Sequence, residues 1–131
     1  MEDQEIVPFE QLHVNGSKLT YRSGAQRFTG RAGTFYPDGT PKSLTAFQDG
    51  EMTGTQKVWF PSGQLHWESN MLEGRPHGRK RIWHESGRLA RETEYVAGAV
   101  LWEKEWDEQG AQTKDYAMPE RMRTLLPQRH R

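Results

Sequence analysis

The chain has no cysteine, few apolar residues and no long hydrophobic run, and each shortage excludes a class of protein. Without a thiol among 131 residues, no disulfide constrains the fold and no thiolate takes part in chemistry. Only 33% of the residues are hydrophobic, and no apolar run approaches the roughly 20 residues of a membrane span. The first ten residues begin acidic and lack a hydrophobic segment, which predicts no signal peptide and a cytoplasmic protein.

Catalytic signatures are also missing from the sequence. The five histidines show no paired-ligand spacing for a metal, and neither a nucleophile elbow nor a phosphate-binding or dinucleotide fingerprint occurs. His66 and His84 could approach across a turn, but exposed strand histidines are far commoner than sites. No acidic residue is embedded in an apolar context that would tune its pKa. We therefore expect no enzyme activity, no cofactor and no metal.

Aromatic residues are plentiful despite the low hydrophobicity. Five Trp, five Phe and four Tyr accompany a formal net charge of zero, which predicts one folded domain with a thin core rather than a disordered chain.

Glycine recurs with a fixed spacing of 24 residues. Three columns run in phase through the middle of the chain, and a fixed period indicates one small unit that is copied and stacked. The columns are Gly30, Gly54 and Gly78; Gly39, Gly63 and Gly87; and Gly50, Gly74 and Gly98.

One unit has the pattern of a β-hairpin. In the second unit, Lys57 to Phe60 are rich in β-formers, and Pro61 to Gly63 form a turn signal. Gln64 to Leu72 then alternate in polarity, and Glu73-Gly74 end the strand with a second turn. The second and third glycine columns are therefore predicted to be structural turn residues.

The predicted fold is all-β, an elongated, twisted, single-layer antiparallel meander of 24-residue hairpin repeats. Connections this short exclude parallel crossovers. We divide the chain into an N-terminal lead-in and cap strand (1–29), repeats (30–53, 54–77, 78–101 and a partial 102–116) and a basic tail (117–131). Lys18 to Tyr21 are a predicted strand in the cap. Pro119 to Arg123 either open a short helix that Pro127 ends or are disordered.

An aromatic column is expected to stabilise the sheet. Phe35, Trp59, Trp83 and Trp106 hold the same position in successive units and are predicted to stack as a ladder on one face. A second column holds Phe47, Met71 and Tyr95, and a third, on the face opposite the ladder, holds Tyr36, Phe60 and His84.

Charge is uneven along the neutral chain. Residues 75–91 are basic, residues 92–108 are acidic, and the tail is basic again. The ordinary interpretation is a solvated surface; the alternatives are complementarity to a partner or between neighbouring repeats.

These residues resemble a known family. A glycine, four residues, two aromatics and a turn glycine, followed by an alternating strand and an acidic-Gly pair, are similar to the variant MORN (membrane occupation and recognition nexus) repeat of bacteria. Leu19-Thr20-Tyr21 and Phe28-Thr29-Gly30 resemble the start of its small stand-alone members. The chain departs from the pattern at Gly33, Pro76 and Trp102. The resemblance implies a bacterial antitoxin or immunity protein that binds and neutralises a toxin.

The leading hypothesis is thus a non-catalytic interaction protein. Trp, Tyr and Arg commonly anchor interfaces, and the predicted partner-binding residues are Trp59, Trp67, Arg79, Arg81 and Trp83. For any single one of these tryptophans, internal packing of the sheet is the commoner role. Arg79 and Arg81 are expected to be replaceable without loss of folding.

Other functions stay open at this stage. A MORN-type scaffold would bind phospholipid, through at most peripheral membrane contact, or another structural protein. A carbohydrate-binding repeat is a third alternative. Nucleic-acid binding is not expected at zero net charge. An exposed end strand would also be able to pair with a second copy, giving a homo-oligomer.

Overall fold

The computed structural model describes residues 6–16, 18–21 and 26–126. Twelve strands, one short α-helix and a single 3-10 turn (Phe9–Gln11) lie in these residues. The strands are β1 (Ile6–Pro8), β2 (Leu12–Asn15), β3 (Lys18–Tyr21), β4 (Gly30–Phe35), β5 (Pro41–Gln48), β6 (Glu51–Trp59), β7 (Leu65–Leu72), β8 (Arg75–Pro76), β9 (Gly78–Trp83), β10 (Leu89–Val96), β11 (Ala99–Trp106) and β12 (Gln112–Ala117). The helix is α1 (Glu120–Arg123).

One long sheet contains all strands except β2 and β3. Its order is β1-β4-β5-β6-β7-β9-β10-β11-β12, with β8 on β7, so from β4 onward each strand pairs antiparallel with the next, apart from the short β8. The predicted antiparallel meander of hairpins is confirmed. The expectation that no parallel pair occurs was wrong, because β1 runs parallel to β4. The intervening β2–β3 hairpin supplies the long connection that such a return requires.

Two kinds of turn alternate along the meander, and glycine is needed in both. In one kind, Gly39, Gly63, Gly87 and Gly110 each donate their N–H to the carbonyl three residues earlier, at 2.8 to 3.0 Å, with φ of 90 to 97°. The other kind is a two-residue turn with both φ values positive. That is the type I′ geometry, whose twist matches the flanking strands. These turns are Asp49-Gly50, Glu73-Gly74 and Ala97-Gly98.

The aromatic column marks a recurrent irregularity rather than a ladder. In all four hairpins the register shifts at its member: Phe35 faces Pro41, Trp59 faces Leu65, Trp83 faces Leu89 and Trp106 faces Gln112, with one extra residue on the second strand. The strands that carry the column alternate with other strands, so its members are about 10 Å apart. Among the described residues, no ring of this column contacts another. The predicted stacking is therefore wrong.

A second layer covers the N-terminal end of the sheet. The β2–β3 hairpin, here called the covering hairpin, packs over β4 to β6 and encloses the hydrophobic core. The Leu19 N–H donates to the Gly50 carbonyl at 3.0 Å, and the Gly50 N–H donates to the Phe28 carbonyl at 2.8 Å. The single layer predicted for the whole array is thus found from β7 onward. The core residues are Leu12, Leu19, Phe28, Ala32 and Phe47.

The chain leaves the sheet through a short helix. Helix α1 spans Glu120–Arg123, which is the first of the two alternatives that the sequence left open for this segment, while Pro127 lies outside the described residues. In the part of the chain that the structure describes, no helix has the length and apolarity needed to cross a membrane.

Candidate functional site

The five predicted partner-binding residues lie on two faces of the sheet. Residues opposite each other in register share a face, and side chains alternate along a strand. We call the face that carries Arg79 and Arg81 the front face and the face under the covering hairpin the back face. Trp59 and Trp83, each two residues from a front-face cation, lie on the front face as well. Trp67, opposite Val58 and Ile82, lies on the back face. The five residues therefore do not form one site.

Both predicted arginines are engaged in an ion-pair network on the front face. Arg79 contacts Glu94 at 2.8 Å and Glu92 at 3.2 Å. Arg81 contacts Glu92 at 2.8 Å and Glu68 at 3.5 Å. The basic and acidic blocks of the sequence thus meet as the neighbouring strands β9 and β10, which belong to one predicted repeat. Of these four contacts only Arg81–Glu68 joins neighbouring repeats, as the sequence alternative proposed.

The network changes the expected effect of replacing these arginines. The side chains of Glu92 and Glu94 are only 17% and 11% exposed. Removal of Arg79 would take from Glu94 the arginine that it contacts, and removal of either arginine would take one of two partners from Glu92. Loss of a partner from a largely buried carboxylate is costly. The expectation that Arg79 and Arg81 can be replaced without loss of folding is therefore revised.

Titration of the network reflects the same contacts. The hydrogen bond to Glu94 raises the pKa of Arg79 above its usual value despite partial burial. Burial by itself would raise the pKa of Glu92, but hydrogen bonds from Arg81 and Arg79 outweigh it and hold this pKa below its usual value. Both shifts favour the charged forms of Arg79 and Glu92.

Trp102 is a front-face residue that the sequence did not mark as functional. Arg79 lies 5.2 Å from the centre of its ring and Lys104 lies 5.7 Å from it. Trp102 was noted only as a departure from the glycine pattern. Its role depends on the register, which brings it opposite Glu94, the partner of Arg79.

A row of alternating charge crosses six consecutive strands of the front face. Each member lies opposite the next in register, so opposite charges face each other across every strand boundary, a stabilising arrangement. We call this the charge row. It consists of Lys57, Glu68, Arg81, Glu92, Lys104 and Asp115.

The back face from β7 to β12 is organised in a similar way. Lys80 lies 5.1 Å from the ring centre of Trp67. Arg91 contacts Glu105 at 3.0 Å, and Lys114 contacts Glu103 at 3.2 Å. Both faces of this single layer therefore present tryptophan beside charged side chains.

A groove opens where the covering hairpin overhangs the back face. Val14 lies opposite Leu19 on the inner side of this hairpin, yet it is 69% exposed, since no side chain of the described residues fills the space below it. The groove has a volume of about 670 Å³, with Phe47, Met52 and Val58 on its floor. This groove was not predicted from the sequence. The apolar residues Leu12 and Val14, two positions apart, were a weak signal that one side of this strand faces the interior.

The histidines and acidic residues in the described part of the chain form no metal-binding cluster. No three of its His, Asp or Glu residues are grouped so that they could hold a metal ion. His66 stacks on Phe60 with ring centres 4.1 Å apart. The His84 Nε2 atom instead lies 3.0 Å from the Trp106 carbonyl oxygen, so these two histidines have different structural partners.

Comparisons with known proteins return nothing: no family model matches the chain, and no curated protein or solved structure is significantly similar to it.

Proposed function

We propose that this chain is a non-catalytic protein-binding module. One observation carries the proposal: from β7 to β12 the described sheet has no second layer, and both of its faces present tryptophan beside charged side chains. Trp and Arg are enriched at the energetic centres of protein interfaces. The ion pairs hold these side chains in fixed positions, so less conformational entropy would be lost on binding.

The specific role we propose is that of an antitoxin or immunity protein in the bacterial cytoplasm. Support comes from the resemblance to the variant MORN repeat and from the broad, rigid sheet. Such a surface would neutralise a toxin by covering its active site, and the module itself would need no chemistry.

Capture followed by a toxicity assay tests this role. The tagged chain is used to capture its partner from the native lysate, and the partner is identified by mass spectrometry. We expect that partner to arrest growth when expressed alone and to be neutralised when this chain is co-expressed. A captured protein that is harmless, or whose toxicity this chain leaves unchanged, would contradict the antitoxin role.

A matched pair of variants locates the binding face. Lys104→Ala removes a cation from Trp102 on the front face, and Lys80→Ala removes one from Trp67 on the back face. We expect one of them to weaken neutralisation and the other to leave it intact. If the chain instead has no protein partner and sediments with anionic vesicles, the phospholipid scaffold becomes the better proposal.

A further inference from the structure

The two ends of the long sheet differ in their capacity to accept another strand. At one end lies β1, three residues long and ending in Pro8. At the other end lies β12, six residues long, with every residue exposed and its outer side unpaired among the described residues. Its single bulge is at Thr113, so Lys114 to Ala117 keep regular alternation. A short edge that ends in proline resists pairing, whereas β12 remains open to it.

Both charged residues of β12 continue the charge pattern of the sheet. Asp115 ends the charge row on the front face, opposite Lys104. Lys114 ends a back-face series in which Arg91 lies opposite Glu105 and Glu105 lies opposite Lys114. Each series alternates in sign from strand to strand. The next strand would therefore place a cation opposite Asp115 and an acid opposite Lys114.

A second copy of this chain cannot supply that match by symmetric antiparallel pairing of β12 with itself. The two-fold axis of such a pair is perpendicular to the sheet and keeps each face on its own side. Residues opposite each other share a face, but Lys114 and Asp115 lie on different faces. No symmetric register therefore brings Lys114 of one copy opposite Asp115 of the other, and two registers place like charges together.

We propose that β12 is the docking edge for an extended segment of a different protein, which adds antiparallel to the sheet as its next strand. Along that segment a basic residue is followed directly by an acidic one, facing Asp115 and Lys114 respectively. This inference rests on the proposed protein-binding function and adds the site and the partner's chemistry.

The chain itself contains a suitable probe. In β11, Lys104 lies opposite Asp115 and Glu105 lies opposite Lys114, which is the required order. The test peptide is therefore the capped sequence AVLWEKEW, corresponding to Ala99–Trp106. Its control is AVLWEEKW, which has the same composition and net charge but in which the lysine and the glutamate that follows it are exchanged.

Titration of the full ¹⁵N-labelled chain with each peptide tests the proposal by NMR. We expect shifts at residues 113–117 and binding of AVLWEKEW at least about fivefold tighter than binding of the control. Asp115→Asn should reduce that preference, and Asp49→Asn, a turn substitution far from the edge, should preserve it. Circular dichroism should show both variants folded.

Three results of the titration would overturn the proposal: equal affinity for the two peptides, chemical-shift changes centred on the groove, or changes on β10 that indicate displacement of β11. Sedimentation showing that the free chain dimerises through β12 would overturn it as well. None of them would affect the toxicity assay. A captured toxin that binds Asp115→Asn and the unchanged chain equally well would leave the proposed function standing and remove this edge as its site.

Discussion

The two ends of the sheet are stabilised by different kinds of interaction. At the N-terminal end the covering hairpin buries Leu12, Leu19 and Phe28 against the strands, so apolar burial stabilises two layers. At the C-terminal end no second layer is described, and charges of opposite sign meet across the strands on both faces. A sheet thus needs no hydrophobic core along its whole length if neighbouring strands pair their charges and turns fix their register.

The largest effect is expected from Phe28→Ala. Phe28 is 2% exposed and its ring contacts both Tyr21 and Phe47. Its truncation should lower the free energy of unfolding by about 3 to 5 kcal/mol, as for other buried aromatics. The control is Phe35→Ala, since Phe35 is 40% exposed. Thermal or denaturant unfolding measures both, and equal losses would contradict the division into a covered and an open end.

An intermediate effect is expected from Glu92→Gln at the open end. The substitution weakens hydrogen bonds from two arginines, and charged hydrogen bonds contribute about 1.5 to 3 kcal/mol. Hydrogen exchange should accelerate in β9 to β11 while the covered end keeps its protection. Uniform acceleration over the whole sheet would show that the two ends do not differ locally.

Acid should lower the stability of the chain by protonating Glu92 in the same network. The folded-state pKa of Glu92 lies below its ordinary value of 4.5, so its contribution to stability is complete above pH 4.5 and is lost as pH falls through the lower folded value. Between pH 5 and pH 3, the unchanged chain should therefore lose more stability than Glu92→Gln does. Denaturant unfolding at several pH values measures this, and parallel pH profiles would contradict it.

The smallest expected effect is a gain in the free energy of unfolding rather than a loss. Ala97 has φ of 51°, a left-handed conformation that costs an L-residue roughly 1 kcal/mol. Asn-Gly is the preferred type I′ pair, so Ala97→Asn should stabilise the chain by about 0.5 to 1 kcal/mol. Ala99→Asn, in the strand after the turn, serves as the control and should not stabilise. Urea midpoints compare the two variants, and a destabilised Ala97→Asn would show that this turn is not limited by backbone strain.

Local signals in the sequence were sufficient for the hairpins but not for their assembly. Pro61-Ser62-Gly63 and Glu73-Gly74 specify turns through a few neighbouring residues, and alternation between them assigns faces. The spacing of 24 residues itself stays a prediction, although the same turns recur. The predicted cap strand Lys18 to Tyr21 is confirmed as β3. Its pairing with β2 and the position of the covering hairpin over the sheet were missed, because residues 1–29 lack the period and both strands are only four residues long.

The candidate site could be predicted only in part, because it depends on which residues of neighbouring strands lie opposite each other. Trp59, Trp67 and Trp83 were identified by residue type, but their faces depend on the register between strands. Whether Arg79 is free or paired depends on which strand lies beside it, and the sequence suggested pairing to a partner or between repeats but not within one repeat. The front-face role of Trp102 follows from the same register.

The charge row also constrains how such a chain could change in length. Its sign reverses at every strand, so a hairpin contributes one charge of each sign. Duplication or loss of a whole hairpin would keep opposite charges in register, whereas gain or loss of a single strand would place like charges side by side. The array can therefore grow or shrink by hairpins during evolution while its last strand presents the same charge.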